Sequence, residues 1–172
     1  MGLELFEVIP VKTEPTQLLI EVNEELDQTH NENIATLLKM FNINYNLKQI
    51  IVWDRGNTPS IAKQYFFKTT EWIFWIKKNW EASPYFNKSK SIHKKNIWRI
   101  NKEKDKSHPA PFPEELVDNI VNSCCPEGGT VLDCYNGSGT TGVVSQKNNM
   151  NYIGIDMSEQ YIQMTKDRLS GY

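Results

Sequence analysis

An apolar β-branched run, three glycines within six residues and a helix-forming stretch follow one another without a break in Val131-Leu132-Asp133-Cys134-Tyr135-Asn136-Gly137-Ser138-Gly139-Thr140-Thr141-Gly142. A strand that runs straight into glycines and then into a helix is open to few folds. The glycines let the backbone reverse sharply and approach a ligand with no side chain in the way. The pattern predicts a strand over 130–134, a short helix to about residue 147, a strand over 152–155 and a last helix over about 158–169. Strands alternating with helices predict a parallel sheet with helices packed on its faces. Asp156 closes the second of these strands, 19 residues after Gly137. A carboxylate there can accept hydrogen bonds from both hydroxyls of a ribose, so the pair specifies a cofactor that contains a nucleoside.

Gly137-x-Gly139-x-x-Gly142 also matches the dinucleotide fingerprint letter for letter, which raises a nicotinamide-dependent oxidoreductase as a competing reading. Asp133 argues against it. Just before the turn its charge would face a pyrophosphate, whereas it attracts the sulfonium and amino groups of S-adenosylmethionine. The 30 residues after Gly142 are also expected to be too few for the rest of a dinucleotide fold. No Gly-Lys-Ser/Thr follows the turn, so a phosphate-binding loop is disfavoured as well. The residues favour the methyl donor.

Upstream, Gln17–Val22 reads as a strand. Thr29-His30-Asn31-Glu32 has capping-box spacing, and Ile34, Leu37, Leu38 and Phe41 then share one helical face. Residues 49–53 and 71–76 read as two further strands; the second is apolar on both faces, so it is central or hairpin-paired. Pro113, Glu114 and Glu115 suit the start of a helix whose buried stripe is Leu116, Val117, Ile120 and Val121. Trp53, Trp72 and Trp75 lie on predicted strands and are expected in the core.

Between these patterns, residues 79–107 lose their periodicity, apart from short structure near 97–100, and form a basic excursion from a single domain spanning 1–172. Within 87–106, eight Lys/Arg face only Glu103 and Asp105, a net +6 on a chain whose total is -2. Such a segment suits the phosphates of nucleic acid, although charge alone equally describes a solvated lysine-rich loop. Lys88, Lys90, Lys94, Lys95 and Arg99 are the candidate contacts. Trp80, Tyr85, Phe86 and Trp98 flank the segment, where their rings either stack on bases or anchor the loop. No run approaches the ~20 apolar residues of a membrane span. The acidic N-terminus has no targeting pattern, and Cys124, Cys125 and Cys134 lack metal-ligand spacing, so a reduced cytoplasmic protein with neither metal nor membrane is expected.

Taken together, His108-Pro109-Ala110-Pro111-Phe112-Pro113-Glu114-Glu115-Leu116, Val131-Leu132-Asp133, Asn136-Gly137-Ser138-Gly139-Thr140-Thr141 and Tyr152-Ile153-Gly154-Ile155-Asp156 resemble the DNA (cytosine-N4/adenine-N6) methyltransferases. The likeness is to the permuted branch, in which the catalytic region precedes the cofactor region. Ile51-Val52-Trp53-Asp54-Arg55-Gly56-Asn57, Glu71-Trp72-Ile73-Phe74 and Trp98-Arg99-Ile100 extend it over roughly residues 48–169. The resemblance implies a Rossmann-like S-adenosylmethionine-dependent methyltransferase fold, α/β, with a mostly parallel sheet and helices on both faces. It implies transfer of a methyl group to the N4 amine of cytosine or the N6 amine of adenine in double-stranded DNA, in the setting of restriction and modification. It implicates Pro109 and Phe112 at the methionine end of the cofactor. Asp133, Tyr135, Asn136, Gly137, Ser138, Gly139, Thr140, Thr141 and Asp156 complete the candidate cofactor set. Cys134-Tyr135 departs from the proline and phenylalanine usual in the family.

The family's Asp/Asn/Ser-Pro-Pro-Tyr/Phe loop accepts hydrogen bonds from the target amine and stacks the flipped base. It belongs upstream of Gln17–Val22, where the weak candidate is Glu14-Pro15 within Lys12-Thr13-Glu14-Pro15-Thr16. The family's central strand before this loop and the strand preceding it are also expected to be missing, unless residues 6–11 supply one. An incomplete fold is therefore expected, finished by a completing chain or by homo-oligomerisation. The alternative is a non-catalytic relative that binds S-adenosylmethionine and DNA.

Overall fold

A computed structural model describes residues 3–9, 17–22, 45–56, 69–78, 84–102 and 112–171. Among these, seven strands form one sheet: β1 (Leu3–Ile9), β2 (Gln17–Val22), β3 (Tyr45–Asp54), β4 (Thr70–Lys78), β5 (Ile97–Arg99), β6 (Thr130–Asp133) and β7 (Asn151–Gly154). Their order across the sheet is β5-β3-β4-β2-β1-β6-β7. The described helices are α1 (Glu114–Cys124), α2 (Thr140–Lys147) and α3 (Glu159–Ser170). The helix expected around Ile34, Leu37, Leu38 and Phe41 falls outside the described residues, as do Glu14, Pro15, Trp80, His108 and Pro109.

The α/β class holds, but the sheet is not mostly parallel. Of the described pairs, β3 with β5 and β6 with β7 are parallel; β1–β2, β1–β6, β2–β4 and β3–β4 are antiparallel. For β1 and β2, connection length supplies the reason. Seven residues separate β1 from β2, and a link that short joins antiparallel neighbours, because a parallel pair needs a crossover of about a dozen residues or more. Nor is there a gap beside the cofactor strand. β1 lies between β2 and β6, with Phe6 opposite Asp133 and Ile9 opposite Thr130. The N-terminal residues thus supply the strand whose absence was expected. As its two apolar faces imply, β4 is interior, between β2 and β3.

α1 joins the two halves of the core. Its Leu116 and Ile120 pack with Ile51, Trp53, Ile73 and Trp75. Its Val117 and Val121 pack with Val131, Val144 and Met150. Leu116, Val117 and Val121 are fully buried, each contributing about 1.5–3 kcal/mol by area. α1 and α2 therefore cover one face of the sheet, and α3 packs beside α2. Strand alternation explains why one of the three tryptophans on β3 and β4 misses the core. Trp53 and Trp75 point under α1, whereas Trp72 points to the other face and is 42% exposed. Within the basic excursion the chain rejoins the sheet at β5. The Val52 N–H donates to Asn96 O at 2.8 Å, and Trp53 Nε1 donates to Ile100 O at 2.7 Å.

Candidate cofactor turn and basic segment

Because β6 and β7 are parallel, with Asp133 opposite Gly154, the two candidate acids leave the same end of the sheet. Asp133 is only 3% exposed, and its Oδ1 accepts the Tyr135 N–H at 3.0 Å, bending the chain out of β6. Burial pushes its carboxyl above the usual range and the nearby Asp156 adds to this, while hydrogen bonds from Thr141 and Tyr135 oppose it. Asp156 spans the turn itself. Its Oδ2 accepts Gly137 N–H at 2.7 Å and its Oδ1 accepts Ser158 N–H at 2.8 Å. Each oxygen keeps further accepting capacity.

Two glycines are required by the geometry. Gly139 has φ +81° and precedes α2; a Cβ there would lie 2.5–2.9 Å from Thr165. At Gly142 a Cβ would lie 2.6 Å from the Tyr152 ring. The close approach the sequence reserved for a ligand is thus partly taken by the protein's own α3 and β7.

Asn136 is buried and spends its side chain on the scaffold. Its Nδ2 donates to Thr165 Oγ1 at 2.7 Å, and its Oδ1 accepts the Tyr152 hydroxyl. That hydroxyl is held well above its ordinary pKa, chiefly by burial. Arg168 of α3 reaches back to the turn, donating to Ser138 O at 2.9 Å, Ser138 Oγ at 3.2 Å and Thr140 Oγ1 at 3.3 Å. Its other nitrogen pairs with Glu114 at 3.6 Å, and Glu114 also binds Lys147 at 2.5 Å. Tyr135 is half-exposed, Thr141 is buried, and Phe112 packs against both core clusters, 6.2 Å from the Trp53 ring.

Arg168, Tyr152 and Thr165 were not read from the sequence as site residues. They act on the turn from positions 16–30 residues downstream, and no local pattern reports a partner at that distance. Met157, next to Asp156, is fully exposed.

Elsewhere, Lys88, Lys90, Lys94, Lys95 and Arg99 are all exposed. Lys90 lies 3.9 Å from Glu127, and Arg99 lies 3.7 Å from Asp54. Trp98 is buried, with Nε1 on Lys95 O at 2.7 Å, so it anchors the loop; Phe86 is half-exposed and packs 5.0 Å from the Trp75 ring. A cavity of about 70 Å³ lies under this segment, lined in part by Trp75, Phe86, His93, Trp98 and Cys124. It is about half the ~150 Å³ that accommodates a benzene, too small for a base. Among the described residues no His/Cys/Asp/Glu group is arranged to hold a metal, and no helix is long and apolar enough to cross a membrane.

A family model described as DNA methylase, of the N6/N4 type, matches residues 18–167. The type II methyltransferase M2.LlaDCHI of Lactococcus lactis subsp. cremoris is 33% identical over 70% of this chain and 49% of its own length. The type II methyltransferase M2.MboI of Moraxella bovis is 32% identical over 73% of this chain and 50% of its own. The chain therefore spans about half the length of these curated relatives. Among solved structures, the M1.HpyAVI–SAM complex superposes with a TM-score of 0.68 at 27% identity, over 87% of this chain and 73% of that one.

Proposed function

The chain belongs to the N6/N4 DNA methylase family, and we propose that it binds S-adenosylmethionine at the glycine turn and serves methyl transfer to the N4 amine of cytosine or the N6 amine of adenine in double-stranded DNA. The observation that carries this reading is the placing of Asp133 and Asp156 at one end of β6 and β7, with Asp156 hydrogen-bonded to the Gly137 N–H.

The residues present fit the donor. Asp156 already accepts two backbone N–H groups and has capacity left for ribose hydroxyls. The buried Asp133, ionised, opposes a positive sulfonium or ammonium where little water screens it. Exposed Met157 offers apolar surface to a purine beside the ribose site. Phe112 and Pro109 are assigned to the methionine end. Ser138, Gly139 and Thr140 contribute their backbone, which Arg168 and Asn136 hold in place; Tyr135 and Thr141 flank it. When bound, S-adenosylmethionine supplies the electrophilic methyl group. A neutral amine gains a positive charge as it attacks, so its hydrogens need an acceptor and its base a stacking partner. Glu14-Pro15, from this chain or from a second copy of it, is the candidate for that loop within these residues, and a different chain carrying the family's loop is the alternative source.

Lys88, Lys90, Lys94, Lys95 and Arg99 are assigned to the phosphates of DNA, and a cytoplasmic location beside that substrate belongs to the same proposal. Each Lys→Gln substitution that takes a cation away from a phosphate is expected to flatten the log–log salt dependence by about 0.9. Calorimetry with S-adenosylmethionine and with NAD, side by side, tests the cofactor reading. Preferential binding of the dinucleotide would overturn it.

A further inference from the structure

The basic segment is not a loosely solvated loop, because one buried side chain of α1 holds it. Asn119 is 0% exposed on the helix that forms the centre of the core. Its Oδ1 accepts two backbone donors from a single stretch of the segment, Ile92 N–H at 2.6 Å and His93 N–H at 2.9 Å, and lies 3.1 Å from Ser91 Oγ. Its Nδ2 is buried and has no partner among the described residues. A buried amide with one end fully committed and the other orphaned is a poor choice for stabilising a helix, since an apolar residue of the same shape avoids the unsatisfied donor. What the amide supplies is attachment of the backbone at 91–93.

Contacts on both sides complete the clamp. Asn87 N–H donates to Ser123 O of α1 at 2.8 Å, and the Ser91 hydroxyl donates to His93 O at 2.8 Å. His93 Nε2 meets Glu115 of α1 at 2.8 Å, and the His93 ring stacks on Trp98 at 6.1 Å. Lys88, Lys90, Lys94 and Lys95 bracket these fixed points and are themselves exposed. The same helix begins two residues after Phe112, at the candidate cofactor site.

We infer that Asn119 is the positioning residue of the nucleic-acid face: it orders the segment in advance and fixes the spacing of the lysines relative to the cofactor turn. The role rests on the reading that these lysines meet DNA phosphates. Ordering the backbone during folding removes that entropic cost from the binding step.

The test compares the whole chain with Asn119→Leu, which removes the acceptor at similar shape, and Asn119→Asp, which keeps an acceptor oxygen. Amide hydrogen exchange at Ile92 and His93 reports the clamp; binding to a mixed-sequence duplex over a range of salt reports DNA. For the leucine variant, exchange at both amides is expected to rise more than about tenfold, as local opening becomes easy. Duplex affinity is expected to fall about three- to tenfold, the cost of ordering a residue or so on binding. Melting temperature should change little. The aspartate variant should restore both protection and affinity. If the leucine variant does not fold, Asn119→Ala gives the same reading. Unchanged exchange would refute the clamp, and raised exchange with unchanged DNA affinity would refute the positioning role. A wild-type chain with no salt-dependent duplex binding would overturn the DNA reading and the positioning role with it, while the exchange data would still report the clamp.

Discussion

Replacing Asp156 by alanine removes two carboxylate hydrogen bonds inside the protein and, on the proposed reading, the acceptor for the ribose. The internal pair is to Gly137 N–H at 2.7 Å and Ser158 N–H at 2.8 Å, both partly buried. Water can replace such bonds in part, so their joint removal is expected to cost about 1–2 kcal/mol of stability. For a domain of this size that is a fall of roughly 2–8 °C in melting temperature. The ribose hydrogen bonds are charge-assisted and vanish outright, at about 1.5–3 kcal/mol. That figure corresponds to a ten- to hundredfold weaker affinity for S-adenosylmethionine. Titration calorimetry well below the variant's melting temperature separates the two effects. Asp156→Asn, which keeps one carbonyl acceptor, should fall between wild type and alanine. A folded alanine variant that binds the donor within twofold of wild type would refute the assignment.

Other consequences follow from Asp133, the cysteines and the N-terminal candidate loop. The Asp133 carboxyl is raised from 3.8 in the folded chain; between that value and the raised one, the unfolded chain has lost the proton while the folded chain keeps it. Ligand-free stability should therefore fall as pH rises through that window, while affinity for the cationic donor rises, and pH-dependent melts with and without S-adenosylmethionine check both signs. Burial pushes the thiols of Cys124 and Cys125 up to about 12 and 11, so alkylation near pH 8 should modify Cys134 alone, and S-adenosylmethionine should protect it; mass spectrometry reads the sites. A tritium-transfer assay with a polypeptide of these 172 residues should show little methylation of mixed-sequence DNA, because no Asp/Asn/Ser-Pro-Pro-Tyr/Phe sequence is present to position the amine. Robust turnover that Glu14→Ala abolishes would show that Thr13-Glu14-Pro15 does that work.

Local order was legible in the residues themselves. Val131 to Gly142 dictated strand, turn and helix, because φ freedom and a change of hydrophobic period are properties of neighbouring residues. The stripe Leu116, Val117, Ile120, Val121 likewise dictated which side of α1 is buried, and Ser158 caps α3 by accepting from Tyr161 N–H at 3.4 Å. Asp156 was legible as a candidate acid from its spacing. Its hold on the Gly137 N–H was not, since that bond exists only once β6 and β7 lie side by side.

Tertiary structure decided strand direction and long-range partnership. Whether β1 would join the sheet, and in which sense, depended on a seven-residue link and on the room between β2 and β6, neither of which leaves a periodic trace. Trp72 shared the apolar strand pattern of Trp75, and only the placement of α1 determined which of the two would be covered. Arg168, Thr165 and Tyr152 brace a turn up to 30 residues away. Asn119 sat unremarked in an amphipathic stripe until the basic segment folded across it. A sequence encodes the torsions and burial preferences of each short stretch; which stretches meet depends on loop closure and on competition among faces for the same cover.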